Sequence, residues 1–142
     1  MMISTKGRYA LRVMIDLAEN QGNGYIPLKD IAKRQEISEK YLETILPTLI
    51  KNHHLEGVRG KGGGYRLSRA PEDYTVGSIL QLLESSLAPV ACLEEHAKPC
   101  PRAATCKTLS MWEGLNNMIH EYFDGITLAD LCKDKGRMDY EI

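Results

Sequence analysis

Apolar residues recur at three- and four-residue steps from Thr5 to about Glu19, where Tyr9, Ala10, Val13, Met14, Leu17 and Ala18 fall on one face, the spacing of an amphipathic helix. The turn-forming stretch Gln21 to Gly24 ends it, and Tyr25-Ile26 reads as a short extended segment. Pro27 suits the first turn of a second helix, because its missing N–H has no partner to lose there. That helix runs to about Gln35 and turns Leu28, Ile31 and Ala32 inward. After a break at Glu36-Ile37, Ser38 is positioned to cap a third helix over Glu39 to Lys51, with Leu42, Ile45, Leu46 and Leu49 inward. Pro47 falls inside this pattern and predicts a kink.

Leu55 to Leu67 then predicts a hairpin of Gly57-Val58-Arg59 and Tyr65-Arg66-Leu67 around the loop Gly60 to Gly64. A helix follows from Val76 to about Glu84, capped by Thr75. Periodicity is lost from Ser85 to Lys107, a stretch punctuated by Pro89, Pro99 and Pro101 that carries Cys92, Cys100 and Cys106. It returns at Leu109, Trp112, Leu115, Ile119 and Tyr122, with Met111 and Met118 broadening the stripe beyond what one small core needs. The expectation is a mainly α chain in four parts. Residues 1–84 form a winged helix-turn-helix, 85–108 a cysteine-containing loop, 109–131 a long dimerisation helix and the segment after it, and 132–142 a tail. A homodimer follows from the breadth of that stripe, since a two-fold reader matches two half-sites.

The net charge of −1 over 142 residues conceals an asymmetry. Residues 1–70 hold twelve Lys/Arg against seven Asp/Glu, and 71–142 hold six against twelve. Only the front half is suited to meet a polyanion such as double-stranded DNA. No apolar run approaches the roughly 20 residues of a membrane span, and the N-terminus leads straight into an amphipathic segment, so no membrane partner and a cytoplasmic location are expected.

A recognition helix needs short polar and charged groups near its N-terminal end, where they reach base edges. Ser38, Glu39, Lys40, Tyr41, Glu43 and Thr44 make that set: Lys40 and Thr44 donate, and Glu43 accepts from a cytosine amino group or repels a wrong base. The competing structural roles are plain, with Ser38 as a cap, Tyr41 half in the core and Glu39 and Glu43 solvated. In the wing, Arg59 and Lys61 are the natural phosphate or groove contacts, and Gly62 and Gly63 let the backbone approach closely. Arg66 and Arg69 add charge, while Tyr65 steadies the hairpin. A nucleotide-phosphate loop is discounted because no Gly-Lys-Ser/Thr and no strand-to-helix passage follow the glycines. His53 and His54 follow the recognition helix, where a helix-end role near the C-terminal dipole competes with phosphate contact.

The three loop cysteines are separated by seven and then five residues. Irregular loops let such thiolates converge on an iron-sulfur cluster. Structural zinc more often uses two-residue gaps, and unliganded redox thiols remain a third reading. Cys132 reads as a bystander. No Cys-x-x-Cys pair and no nucleophile-base set is present, so an enzyme is not expected, and a small zinc or redox interaction module is the alternative from another class.

The stretches ISTKGRYALRVMIDLA, IAKRQEISEKYLETIL, VRGKGGGYRLSRAP and MWEGLNNMIHEYFDGITLADL closely resemble the Rrf-two family of bacterial transcription regulators, from Ile3 to about Leu131. The resemblance implies a dimeric winged helix-turn-helix protein. In many members a cluster sits in the loop before the dimer helix, which here assigns it to Cys92, Cys100 and Cys106, with [2Fe-2S] favoured and [4Fe-4S] as the other form. The fourth ligand departs from the family pattern. Where one branch has a histidine three residues past the last cysteine, this chain has Leu109, and where another borrows a carboxylate from the partner's first helix, it has Arg8. His96, Glu94, Glu95, a carboxylate of the other subunit or a small thiol are the remaining candidates. The implied function is operator binding set by iron, redox or cluster status. A cluster-free branch governed by thiols or a partner protein is the alternative.

Overall fold

The computed structural model describes residues 2–22 and 24–136; residues 137–142 of the expected tail lie outside it. The first helix, α1 (Thr5–Glu19), starts where expected because Ser4 caps it, its Oγ accepting from Gly7 N at 3.0 Å. Helix α2 (Leu28–Gln35) takes Pro27 as its N-cap rather than as its first residue, and stops at Glu36, whose φ of 54° is left-handed. The expected third helix is two pieces, α3 (Glu39–Leu42) and α4 (Leu46–Lys51), separated by a turn at 43–45. Pro47 is the cause. It has no N–H and its ring would strike the carbonyl of Glu43, so the chain breaks a turn early and restarts with Pro47 in the first turn of α4. The inward face survives the break, since Leu42, Ile45, Leu46 and Leu49 are all buried.

Strands β1 (Leu55–Val58) and β2 (Gly64–Leu67) pair antiparallel, Leu55 opposite Leu67 and Val58 opposite Gly64. Ile26 adds a one-residue third strand, exchanging two 2.8 Å hydrogen bonds with Tyr65. Gly64 is required there: its φ is +149°, and a Cβ would run into the Ile26 carbonyl. A 3-10 turn at Pro71–Asp73 leads to α5 (Val76–Leu83), capped by Thr75 as the sequence indicates. The loop beyond α5 contains only 3-10 turns, at Ala91–Leu93 and Ala103–Thr105, before α6 (Leu109–Asp124).

One core joins α1, α2, α3, α4 and the hairpin around Val13, Met14, Leu17, Ile31, Leu49 and Tyr74. The chain also folds back. Helix α7 (Leu128–Lys133), which has no counterpart in the sequence reading, is fixed by a capping box between Thr127 and Asp130 and places fully buried Leu128 in that core. A smaller cluster of Val76, Leu80 and Leu87, with Phe123 and Ile126 against it, ties α6 to α5. No residue of α6 is itself buried, and Met111, Leu115, Met118 and Tyr122 stand exposed along it.

Candidate nucleic-acid interface and cysteine loop

Helix α1 is the platform on which the helix-turn-helix is mounted. Asp16, only 2% exposed, accepts two hydrogen bonds from the Arg34 guanidinium at 2.8 and 2.9 Å and one from Gln35 Nε2 at 3.0 Å. A buried carboxylate survives without water when charged and neutral donors fill its lone pairs in this way. Its hydrogen bond to Arg34 is also the main reason that guanidinium holds its proton more firmly than usual. One turn earlier, Arg12 donates to the Gln35 carbonyl and, at 3.3 Å, to Gln35 Oε1, while its guanidinium covers the Tyr9 ring at 5.0 Å. Tyr9 meets the edge of Tyr41 with ring centroids 5.4 Å apart. Three contacts spaced along α1 thus set the pose of α2 and α3.

Of the six proposed reading residues, three are already engaged within the fold. Ser38 Oγ accepts from Tyr41 N at 3.1 Å, Thr44 Oγ1 donates to the Tyr41 carbonyl at 2.6 Å, and Tyr41 is half-buried against Tyr9. Glu39, Lys40 and Glu43 are exposed on the outer face of α3 and the turn after it, with no side-chain partner among the described residues. The hydroxyls of Ser38 and Thr44 are also exposed and retain capacity for a further bond.

The wing divides its cations. Arg59 and Lys61 are exposed around the glycine tip, where Gly60 and Gly62 adopt positive φ. Gly63 has no room for a side chain, since a Cβ would strike the Val58 carbonyl. Arg66, by contrast, is committed: it donates to Glu56 at 2.8 Å and lies 4.4 Å over the Tyr25 ring. Arg69 covers Tyr74 at 4.6 Å.

The joint between α4 and the wing is built on a residue the sequence reading passed over. The buried Tyr74 hydroxyl donates to the His54 carbonyl at 2.7 Å and accepts from Ser68 N and Arg69 N at 3.0 and 3.1 Å. His54 is a buried residue just beyond the end of α4, not a surface contact for phosphate. Its ring is buried 5.5 Å from that of Tyr74, with Nδ1 on the Asn52 carbonyl and Nε2 without a partner. Burial, reinforced by the charge of Arg69, pushes its pKa below the ordinary histidine value. His53 is exposed in a left-handed conformation, φ 61°.

Cys92 and Cys106 are exposed and Cys100 half-buried, all three as free thiols. The donor set has the right chemistry for an iron-sulfur cluster, but no three His, Cys, Asp or Glu side chains converge into a metal-holding group among the described residues. Closing the loop would disturb little, because every residue from Ala88 to Thr108 is exposed or half-buried. The Cys106 thiol is shifted downward, first by a hydrogen bond from Thr108 and further by Arg102. Among the fourth-ligand candidates, His96 and Glu95 lie 3.6 Å apart and almost fully exposed. Leu109 is half-buried at the start of α6, and Arg8 donates to Thr5 Oγ1. Cys132 sits half-buried on α7, its thiol pushed up by burial and by Glu19.

Taken together, a recognition helix mounted on α1, a glycine-tipped hairpin beside it and a long helix with a bare apolar face define a winged helix-turn-helix regulator. The family model for Rrf2, described as "Iron-dependent Transcriptional regulator", matches residues 3–134. The chain is 38% identical to the HTH-type transcriptional regulator IscR of Aliivibrio salmonicida over 135 residues, covering 94% of this chain and 79% of that protein. Among solved structures it is similar to CymR, the global cysteine regulator of B. subtilis, with a TM-score of 0.76 at 36% identity, covering 93% of this chain and 96% of that one. T. potens IscR gives a TM-score of 0.74 at 38% identity, covering 100% and 93%. The protein belongs to the Rrf2 family of transcription regulators, the family its sequence motifs resemble. No helix among the described residues is long and apolar enough to cross a membrane.

Proposed function

We propose that this regulator binds double-stranded operator DNA as a homodimer, and that its occupancy of the operator is set by an iron-sulfur cluster held on Cys92, Cys100 and Cys106. The observation that carries the reading is the placement of three free thiols on a coreless loop between the DNA-reading unit and α6. Lys40, Glu43 and Thr44 read base edges, with Ser38, Glu39 and Tyr41 alongside them at the start of the helix. Arg59 and Lys61, over Gly62 and Gly63, contact phosphate or the adjacent groove. The exposed stripe Met111, Leu115, Met118 and Tyr122 pairs with its copy, spacing two recognition helices about one DNA turn, roughly 34 Å, apart.

A bound cluster supplies iron–thiolate bonds that tie three loop positions together and that break on iron loss or oxidation. [2Fe-2S] is the favoured form and [4Fe-4S] the other. His96, Glu94 or Glu95 complete the set, or a group from outside the chain does so. The chain's own contribution is an accessible loop whose ordering leaves the main core intact, so that its two states can differ in DNA affinity through what they do at its two ends.

Anaerobically purified protein is expected to show visible absorption with iron and acid-labile sulfide, both lost in Cys92→Ala, and a change in operator affinity on cluster removal. Colourless protein that resists anaerobic reconstitution would overturn the cluster and leave a second reading, in which the cysteines act as bare thiols. The likeness to CymR, the global cysteine regulator of B. subtilis, supports that second reading.

A further inference from the structure

The last residue before the cysteine loop does not point into the loop. Glu84, the residue that closes α5, accepts two hydrogen bonds through one carboxylate oxygen, from Ser4 N and from Ser4 Oγ, each at 2.8 Å and across 80 residues of sequence. Ser4 is the cap of α1, and its Oγ at the same time accepts from Gly7 N. The first turn of α1 has no acidic residue of its own, so Glu84 provides the negative charge that a helix N-terminus favours. Gly7 makes the approach possible: a Cβ there would strike the Glu84 carboxylate and crowd Leu80. The contact is therefore shaped on both sides. One side is the root of the loop, and the other is the end of the helix that carries Tyr9, Arg12 and Asp16 to the helix-turn-helix.

We infer that Glu84 is a positioning residue that couples the cysteine loop to the recognition helix, acting as a latch between the end of α5, where the loop begins, and the N-terminus of α1. Ordering or release of residues 88–108 reaches Glu84 through Ser85, Ser86 and Leu87, the last of them buried against Val76 and Leu80. Ser4 moves with Glu84, and α1 transmits the displacement along its axis to Tyr41, Gln35 and Arg34. A cavity of about 430 Å³ opens beside Glu84, Ser85 and Ser86, bounded across by Asn116 and His120 of α6, so this side of the loop root is open while Leu87 is buried beside it. The inference rests on the proposed response of the loop for its biological use, but the latch itself is a property of the fold.

Two variants and two readouts test it. Glu84→Gln removes the charge and keeps the side-chain length, whereas Gly7→Ala keeps the charge, raises local helix propensity and expels the carboxylate. In amide hydrogen exchange of the full chain, both variants should speed exchange in the first turn of α1 by tenfold or more. They should also speed exchange at 38–44 by at least threefold, with the hairpin at 55–67 unchanged. A merely local cap would change residues 4–8 alone, and that result, or unchanged exchange, overturns the latch. The second readout is operator affinity with the loop cysteines loaded with cluster or stripped of it. A ratio that shrinks to under threefold in both variants, while stripped-protein affinity stays within threefold of the parent, supports the coupling, and a ratio preserved in both variants overturns it. If the parent protein shows no such ratio, the proposed function fails, and the exchange pattern still decides the latch.

Discussion

The helix-turn-helix and the cysteine loop are both rich in polar side chains, and they are held in opposite ways. On the first, Asp16, Arg34, Gln35, Arg12 and Tyr41 are fastened to one another and to α1 by short hydrogen bonds and ring contacts, over a core whose members are almost wholly buried. On the second, the side-chain contacts are local ones, Cys106 with Thr108, Thr105 with the Arg102 carbonyl and His96 with Glu95, the rest are short turns of backbone, and no side chain between Ala88 and Thr108 is buried. A surface that must present the same groups to every DNA site gains from being preorganised. A segment that must change on meeting a ligand is drawn from the least stable part of the chain. The contrast predicts that substitutions of similar size cost much in the first region and little in the second.

The largest effect is expected at a position in neither. Leu128 is fully buried in the α1 core although it lies beyond α6, so Leu128→Ala removes buried volume from the domain that reads DNA. A loss of about 3 kcal/mol is expected, measured by denaturant unfolding. A loss under about 0.5 kcal/mol would mean that α7 is not docked.

This helix also shows where the sequence stops being legible. Helices α1, α2 and α5 could be read because their apolar positions repeat over two or more turns, with Thr75 marking the start of α5, and the hairpin because a glycine tip separates its two short runs. Six residues of α7 are too few to establish a period, and the one local signal was the pair Thr127 and Asp130 of its capping box. Pro47 gave warning of a kink but not of its place, since the break is set by the carbonyl one turn back. Residue type alone singles out the proposed reading residues of α3 and the wing. What could not be seen was that Arg66 is spent on Glu56 and Tyr25, or that Asp16 lies on the buried face of α1, because both depend on partners remote in sequence. An acidic residue set among Val13, Met14 and Leu17 was the available clue. Glu84 offered none, its partner being 80 residues away.

Asp16 gives the next test of the comparison. Asp16→Ala leaves Arg34 and Gln35 without their acceptor, but Arg34 is 39% exposed and can turn to water, which limits the penalty. The expected loss is about 2 kcal/mol, with operator affinity falling as α2 loosens from α1. Unaltered stability would show that the pose of α2 is set by apolar packing alone.

A smaller effect, confined to acid, is expected at the joint between α4 and the wing. Burial lowers the native pKa of His54 below its unfolded value near 6.5, so the native state binds fewer protons than the unfolded one. The stability that depends on a neutral His54 is complete above that value and is lost as pH falls through the native pKa. Arg69, the cation facing the ring, opposes protonation in the same direction. Unfolding measured at pH 8 and pH 5 should show a loss that is reduced in His54→Gln, and an equal loss in the variant would place the acid sensitivity elsewhere.

The smallest change in stability is expected at the proposed cluster ligands. Replacing Cys92, Cys100 and Cys106 together by serine removes no buried side chain, and no core contact depends on them. The unloaded triple variant should unfold within about 0.5 kcal/mol of the unloaded parent, as surface substitutions do, while it loses all iron and sulfide. A drop of several kcal/mol without any cluster present would show that the loop has a core of its own, and the division between a preorganised reader and an unfastened loop would fail. If instead the parent gains stability on cluster loading and the variant does not, that gain measures the ordering of the loop by its ligand.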